Sequence, residues 1–433
     1  MIKLIVNYKS EILQNDMNIN VNSEIGKLNG VIIHTPGQEV ENMTPENAER
    51  ALYSDILNLA VAIKEYRQFS DVLKKVTNTF EVVDLLKTVV EIEEAKEHLI
   101  SNICKNEEVF CLSDYFSQLS SERLSVELIE GVPMVKDTLT KYLSDERYEL
   151  KPLHNFFFTR DASVSIGKDV LISKMKSQVR EREALIMETI FKYHPLLKSQ
   201  TINPIRSVNY DSKITFEGGD ILIAREDVLL IGIGTRTSTQ GVDFILDHFK
   251  DKKETKHIII QELPDTLESF IHLDMVFTFL DVNKSMVYEP VIFNRHDYET
   301  VHIIVDNGKV AKIEEEENLV KAMNKLKFDI EPILCGGGSD DWIQEREQWH
   351  SGCNFFATAP GQIFGYGRNV NTLDELNKHG FEIIKASDIV DELINIDDYK
   401  KWVVTIDGAE LSRGGGGCRC MTMPLNRDEV VWK

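Results

Sequence analysis

Four stretches of this sequence share one pattern, and that pattern limits the possible folds more than any other feature. A short apolar run meets a turn of Gly, Asp or Asn, and a second apolar run follows. The stretches are "ASVSIGKDVLIS" (162–173), "DILIAREDVLLIGIG" (220–234), "DMVFTFLDVNKSMVYEPVIF" (274–293) and "NFFATAPGQIFGYG" (354–367). β-Branched residues around such turns predict β-hairpins. Helix-period segments lie between them, such as "VREREALIMETIFKYH" (179–194) and "STQGVDFILDHFK" (238–250). The unit is therefore a hairpin plus a helix. It recurs every 55 to 80 residues or so, roughly twice the period of a solenoid and uneven besides. An α/β fold with the units set radially accommodates it.

Residues 70–150 depart from the pattern. "TVVEIEEAKEHLISNICKNEEVFCL" and "SDYFSQLSSERLSVELIEGV" are charged, carry a helical period and show few strand signals. They predict an inserted all-helical subdomain within a unit that otherwise spans residues 1–433.

The chain is 42% apolar, enough for a sizeable core. Its 49 Lys and Arg against 71 Asp and Glu give a net charge of -22. That balance excludes nucleic acid or an anionic membrane as the main partner, and it leaves a cationic small molecule open. The N-terminal "MIKLIVNYKSEILQN" has no signal-peptide pattern. No window reaches the roughly 18 apolar residues of a membrane span. A cytoplasmic location is expected. In such a compartment the six cysteines, Cys104, Cys111, Cys335, Cys353, Cys418 and Cys420, are expected as free thiols.

Four places can carry chemistry. In "SFIHLDMVFTF" (269–279), a strand would place His272 and Asp274 on one face. They are either a structural hydrogen-bonded pair or an acid–base pair. In "ITFEGGDILI" (214–223), Glu217 precedes two glycines. It is either an exposed acid on a bulge or the partner of an imidazolium. In "HNFFFTRDASV" (154–164), Thr159, Arg160 and Asp161 form either a turn or part of a site. In "GGGGCRCMTMPLNR" (414–427), flexible backbone delivers two thiols near the chain's end. With no companion CxxC or HExxH motif, metal binding is the weaker reading and a thiolate nucleophile the better one. One thiol, one His, one Glu and two Asp suit a planar cation: two carboxylates grip a guanidinium while the thiolate attacks its carbon.

In this order and spacing the motifs resemble the arginine deiminases of the guanidino-group-modifying superfamily. The match runs from "SEIGKLNGVIIHTPG" (23–37) and "NMTPEN" (42–47) through "NFFFTRD", "VREREAL", "FEGGDIL", "GIGTRTSTQG", "IHLDMVFT", "CGGG", "REQWHSGCN" and "APGQIFGYGRN" to "RCMTMPL". The resemblance implies a five-bladed α/β propeller (the pentein fold) with a helical insertion after the first blade. It implies Cys420 as nucleophile, His272 as general acid and base with Glu217 as its partner, and Asp161 and Asp274 as guanidinium clamps. It places Arg180 and Arg236 on the substrate α-carboxylate, with Asn155, Phe158 and Gly414 as further substrate contacts. It implies hydrolysis of L-arginine with no metal or organic cofactor, in a homodimer or larger oligomer. Tyr66, Gly367 and Gly415 stand where relatives commonly carry a His, an acid and an Arg. Cys418 is read as a bystander. Another arginine hydrolase, an amidinotransferase and a non-catalytic arginine binder remain as alternatives.

Overall fold

The computed structural model describes residues 17–43, 55–208, 210–252, 254–265, 268–294 and 297–432. The N-terminal stretch and most of the 42–47 motif fall outside them. Strand β1 (Leu28–Ile33) pairs in parallel with β2 (Asn78–Glu81). Parallel neighbours need a long crossover, and helix α1 (Leu59–Val76) supplies it. Asn58 starts α1 by accepting the Val61 N–H on its side chain. Leu59, Ala62, Tyr66, Phe69, Val72 and Leu73 then fall on one buried face.

Next come α2 (Val82–Val89), α3 (Glu93–Asn106) and α4 (Ser121–Glu130), followed by a ribbon of β3 (Val132–Pro133) and β4 (Tyr148–Leu150). The 70–150 region is thus mostly rather than wholly helical. The run "NTFE" extends because β1 offers it a ladder of backbone partners.

Each of the four predicted turns closes a hairpin, and each hairpin gains a third, parallel strand. β5 (Ser163–Ile166) and β6 (Asp169–Ile172) are followed by α5 (Glu181–Tyr193) and β7 (Gln200–Ile202), parallel to β6. β8 (Ile221–Arg225) and β9 (Val228–Ile233) are followed by α6 (Thr239–Lys252) and β10 (Lys256–Glu262), parallel to β9. β9 reads "VLLIGI" and β10 carries "III" at its centre, consecutive apolar residues whose side chains enter cores on both faces of the sheet.

β11 (Phe277–Asp281) and β12 (Lys284–Val287) form the next hairpin. The chain then detours. β13 (Thr300–Asp306) and β14 (Lys309–Glu316) add a second hairpin to β10, and α7 (Leu319–Lys325) leads to β15 (Glu331–Leu334), parallel to β12. Asn307 and Gly308 turn β13 into β14 with φ of 50° and 79°, the two left-handed positions of a tight hairpin turn. After α8 (Asp341–Trp349), β16 (Phe356–Ala359) and β17 (Gln362–Tyr366) form the fourth predicted hairpin. α9 (Val370–Lys378) and β18 (Glu382–Lys385) follow, and then β19 (Trp402–Ile406), parallel to β17.

The last strand, β20 (Met423–Arg427), returns to lie antiparallel to β1. Five sheets therefore contain the same element: an antiparallel pair plus a strand parallel to its second member. In the first sheet the chain's end supplies the outer strand of the pair. Among the described residues no helix is long and apolar enough to cross a membrane.

Candidate active site

The chemistry-bearing residues occupy one equivalent position in every unit, the short turn just before the first strand of the antiparallel pair. Asp161 precedes β5, Glu217 precedes β8, and His272 and Asp274 precede β11. Asn354 precedes β16, and Cys420 precedes β20. The segment 272–276 is not the strand that its alternation suggested. His272 is extended, and Leu273–Met275 make a single 3-10 turn before β11. The turn redirects the backbone, so both side chains are buried at the site without strand geometry.

Neighbouring turns are bonded in a closed cycle. Arg160 N–H donates to the Cys420 carbonyl at 3.1 Å, and Gly218 N–H to the Asp161 carbonyl at 3.1 Å. Leu273 N–H donates to Asp220 Oδ1 at 2.9 Å. Asn354 Nδ2 donates to the Asp274 carbonyl at 3.2 Å, and its Oδ1 accepts the Arg419 N–H at 2.9 Å. The fifth turn is thereby tied back to the first. Gly219 is required in this cycle, because a Cβ there would lie 2.4 Å from His272 Nδ1.

His272 Nε2 lies 3.0 Å from Glu217 Oε2, and its Nδ1 lies 3.7 Å from Asp161 Oδ1. Burial opposes charge on the imidazole, yet Asp161, Glu217 and Asp220 outweigh it and raise the pKa to about 9. Burial likewise works against charge on Glu217, but Arg236, His272 and Arg180 hold it well below the usual carboxylate range. His272 Nδ1 and Asp161 Oδ1 are buried without a hydrogen-bond partner. Orphaned buried polar atoms are costly unless a ligand completes them.

The Cys420 sulfur sits 3.7 and 3.8 Å from the two Asp274 oxygens, and Asn354 Nδ2 donates to it at 3.2 Å. Burial, then Asp274 and Asp161, push the thiol well above its ordinary range. That shift favours the protonated thiol. Asp274 itself is held by Arg419 Nη1 at 2.7 Å, and Glu24 grips Arg419 in a bidentate pair at 3.0 Å. Burial opposes the charge on Glu24, but Arg419 and Arg160 bring its pKa down to about 2.

Arg180 is buried and bonded to carboxylates on two sides, Glu183 at 2.8 and 3.0 Å and Asp161 Oδ2 at 2.9 Å. Arg236 approaches Glu217 Oε2 at 3.4 Å. Phe158 lies against Phe157, with ring centroids 4.1 Å apart and planes tilted by 38°, and Asn155 accepts the Phe158 N–H on its carbonyl at 2.9 Å. The glycine run forms a loop over these rings. Gly414 ends a 3-10 turn, Gly415 is left-handed with φ of 82°, and Gly416 lies so close to Phe158 that a Cβ would sit 2.6 Å from the ring. Tyr366 donates its hydroxyl to the Gly416 carbonyl at 2.8 Å. Glu65 of α1 anchors the base of the loop by accepting the N–H groups of Ala409, Glu410 and Leu411.

All six cysteines are free thiols. Cys418 is buried in the core, and burial raises its pKa. Tyr66 is in the core beside Phe69, and Gly367 donates its N–H to the Ile406 carbonyl. Asp161, Glu217 and His272 are near enough to share an ion. However, two guanidinium groups and a raised imidazole pKa supply positive charge where a metal would need neutral or anionic donors.

The sequence reading missed Asn354, Arg419, Glu24 and Asp220. Asn354 was findable, since it holds the same place before its hairpin as Asp161, Glu217 and Asp274 hold before theirs. Glu24 lay in the quoted "SEIG" motif, but nothing local pairs it with a residue 395 positions away.

Comparison with solved structures finds the same mixed α/β fold elsewhere. SxtG, an amidinotransferase of Microseira wollei, aligns with a TM-score of 0.54 at 13% identity, covering 96% of this chain and 99% of that one. The N-terminal domain of ArgZ, a cyanobacterial arginine dihydrolase, aligns with a TM-score of 0.51 at 13% identity, over 92% of this chain and 98% of that one. At such identity these likenesses concern the fold alone. The sequence relatives are much nearer. The arginine deiminase family model matches residues 49–427. The arginine deiminase of Listeria innocua is 34% identical over 95% of this chain and 99% of its own length. That of Borrelia garinii subsp. bavariensis is 33% identical over 95% and 98%. The chain belongs to the arginine deiminase family.

Proposed function

We propose that the protein hydrolyses L-arginine to L-citrulline and ammonia through a covalent intermediate on Cys420. The observation that carries this reading is the Cys420 sulfur 3.7 Å from the Asp274 carboxylate, inside a buried cluster of Asp161, Glu217 and His272. A bound guanidinium would neutralise Asp161 and Asp274 by charge-assisted bonds and lower the thiol pKa from its raised value. The thiol gives its proton to solvent, and the thiolate attacks the guanidinium carbon. The imidazolium of His272 gives its proton to the departing nitrogen, and ammonia leaves. The neutral imidazole next takes a proton from water, whose oxygen attacks the same carbon. The C–S bond breaks, the sulfur leaves as a thiolate that takes up the hydroxyl proton, and citrulline departs. The steps need no metal or organic cofactor.

Arg236 keeps donors for the substrate α-carboxylate. Arg180 spans Glu183 and Asp161, so a substrate guanidinium reaches Asp161 by displacing one arm of Arg180. The five sheets are blades of a propeller with the cycle of turns at its axis, and the mostly helical 70–150 segment is an insertion. A cytoplasmic homodimer or larger assembly completes the reading.

Purified protein incubated separately with L-arginine and agmatine tests it. Citrulline and ammonia in equal amounts from arginine, lost in Cys420→Ser, support the proposal. Ornithine and urea would show a different arginine hydrolase. Absence of product without an added amine acceptor would favour an amidinotransferase or a binding protein.

A further inference from the structure

The added hairpin β13–β14 carries a second cluster outside the turns of the active site. His302 on β13 lies opposite Glu314 on β14, and Glu316 follows on the same face. α7 packs over this face, and α6 contacts β13. His302 and Glu316 are buried, and Glu314 is half-buried. His302 Nδ1 faces Glu316 Oε1 at 3.6 Å and Glu314 Oε1 at 4.0 Å. Both His302 Nδ1 and Glu316 Oε1 are buried with no hydrogen-bond partner. The three donor atoms lie within 4.8 Å of one another.

The remaining atoms of these side chains are already engaged, which leaves this trio facing inward. His302 Nε2 lies 2.9 Å from His257 Nδ1. Lys325 holds Glu316 Oε2 at 2.5 Å, and Lys312 holds Glu314 Oε2 at 2.6 Å. Both ammonium groups are more than half exposed, so solvent screens their repulsion toward a cation.

We propose that His302, Glu314 and Glu316 form a site for a divalent transition-metal ion of the zinc type, with water completing its shell. The chemistry selects the ion. One imidazole and two carboxylates suit zinc or its neighbours, whereas calcium takes about six to eight oxygen ligands. Zinc bonds of about 2.0 to 2.2 Å bring donor atoms somewhat closer than they lie here, and a rotation of the half-buried Glu314 closes that gap. His257 serves as the outer partner. By accepting the Nε2–H of His302 it leaves Nδ1 as the metal-facing lone pair. The ion would pin the hairpin to β10 and α7.

The test uses the full-length protein, stripped with a chelator and dialysed against Zn2+. Bound zinc and the melting temperature are measured for the parent, Glu314→Gln and His302→Gln. The Cys420→Ser/Glu217→Gln double variant controls for zinc at the catalytic cluster. The expected result is one zinc per chain in that control, a zinc-dependent rise in its melting temperature, and at least about ten-fold weaker binding in both hairpin variants. Glu314 is half exposed, so Glu314→Gln should fold, and unchanged arginine turnover will verify that. Zinc binding equal in parent and hairpin variants, or no zinc retained by the control, would overturn the proposal. In the second case His302 Nδ1 carries a proton toward Glu316 instead.

Discussion

Asn354 donates its side-chain N–H to the Cys420 sulfur across 3.2 Å, while its carbonyl oxygen accepts the backbone N–H groups of Arg419 and Cys420. One amide therefore sets both the position of the sulfur and the turn that presents it. It also holds the Asp274 carbonyl, so a thiol and a carboxylate-bearing residue from different units share one anchor. Asn354→Ala should lower kcat by about 100-fold with a smaller change in KM, since displacement of a reacting group by about 1 Å costs that much. Steady-state kinetics with arginine check this. An unchanged kcat would mean that Asn354 only fills space.

Cys420→Ser and His272→Ala should each reduce turnover by at least about 1,000-fold, and the double variant should be little worse than either, because groups acting as a unit are not additive. Arg236→Ala should chiefly raise KM, because binding to a remote carboxylate is much the same in ground and transition states. Parallel kinetics of the four variants test both statements.

The raised Cys420 pKa predicts slow alkylation of the free enzyme by iodoacetamide at neutral pH. The rate should climb only above the ordinary thiol range of about 8.5. Because burial and then Asp274 and Asp161 cause the shift, Asp274→Asn should move that climb to lower pH. A saturating guanidinium compound that lacks a leaving group should do the same in the parent. A midpoint unmoved by either would remove the electrostatic account.

His272 is expected to work from its protonated form, and its pKa is raised to about 9. The alkaline limb of kcat/KM should therefore fall near pH 9. Glu217→Gln removes a negative charge beside the imidazolium, which lowers that pKa. The limb should shift toward neutrality, and the pH–rate profiles of the two proteins report the difference.

Glu24 supports the site from far away in sequence. Glu24→Gln leaves Arg419 buried with half its charge partners gone, a change of the kind that costs about 3 to 5 kcal/mol. Urea unfolding should show a drop of that size. Activity should fall as well, because Arg419 holds Asp274 at 2.7 Å.

The sequence by itself determined the local elements. Apolar runs around Gly, Asp and Asn turns made four hairpins legible, and helical periods marked α5 and α6, because those signals act over a few residues. Spacing also picked out Asp161, Glu217, His272, Asp274 and Cys420. Tertiary structure decided how they meet. Nothing local predicts that β20 completes the sheet of β1, or that the 272–276 segment is a turn rather than a strand. The pairing of Glu24 with Arg419 and the contact of Asn354 with Cys420 depend on the same long-range assembly. The ionisation of the site does too. Burial pushes the Cys420 thiol up and opposes charge on His272, and carboxylates delivered by other units reverse that opposition at the imidazole. Charges placed within about 4 Å by the fold, in a medium that water does not screen, set which proton is held and which is given up.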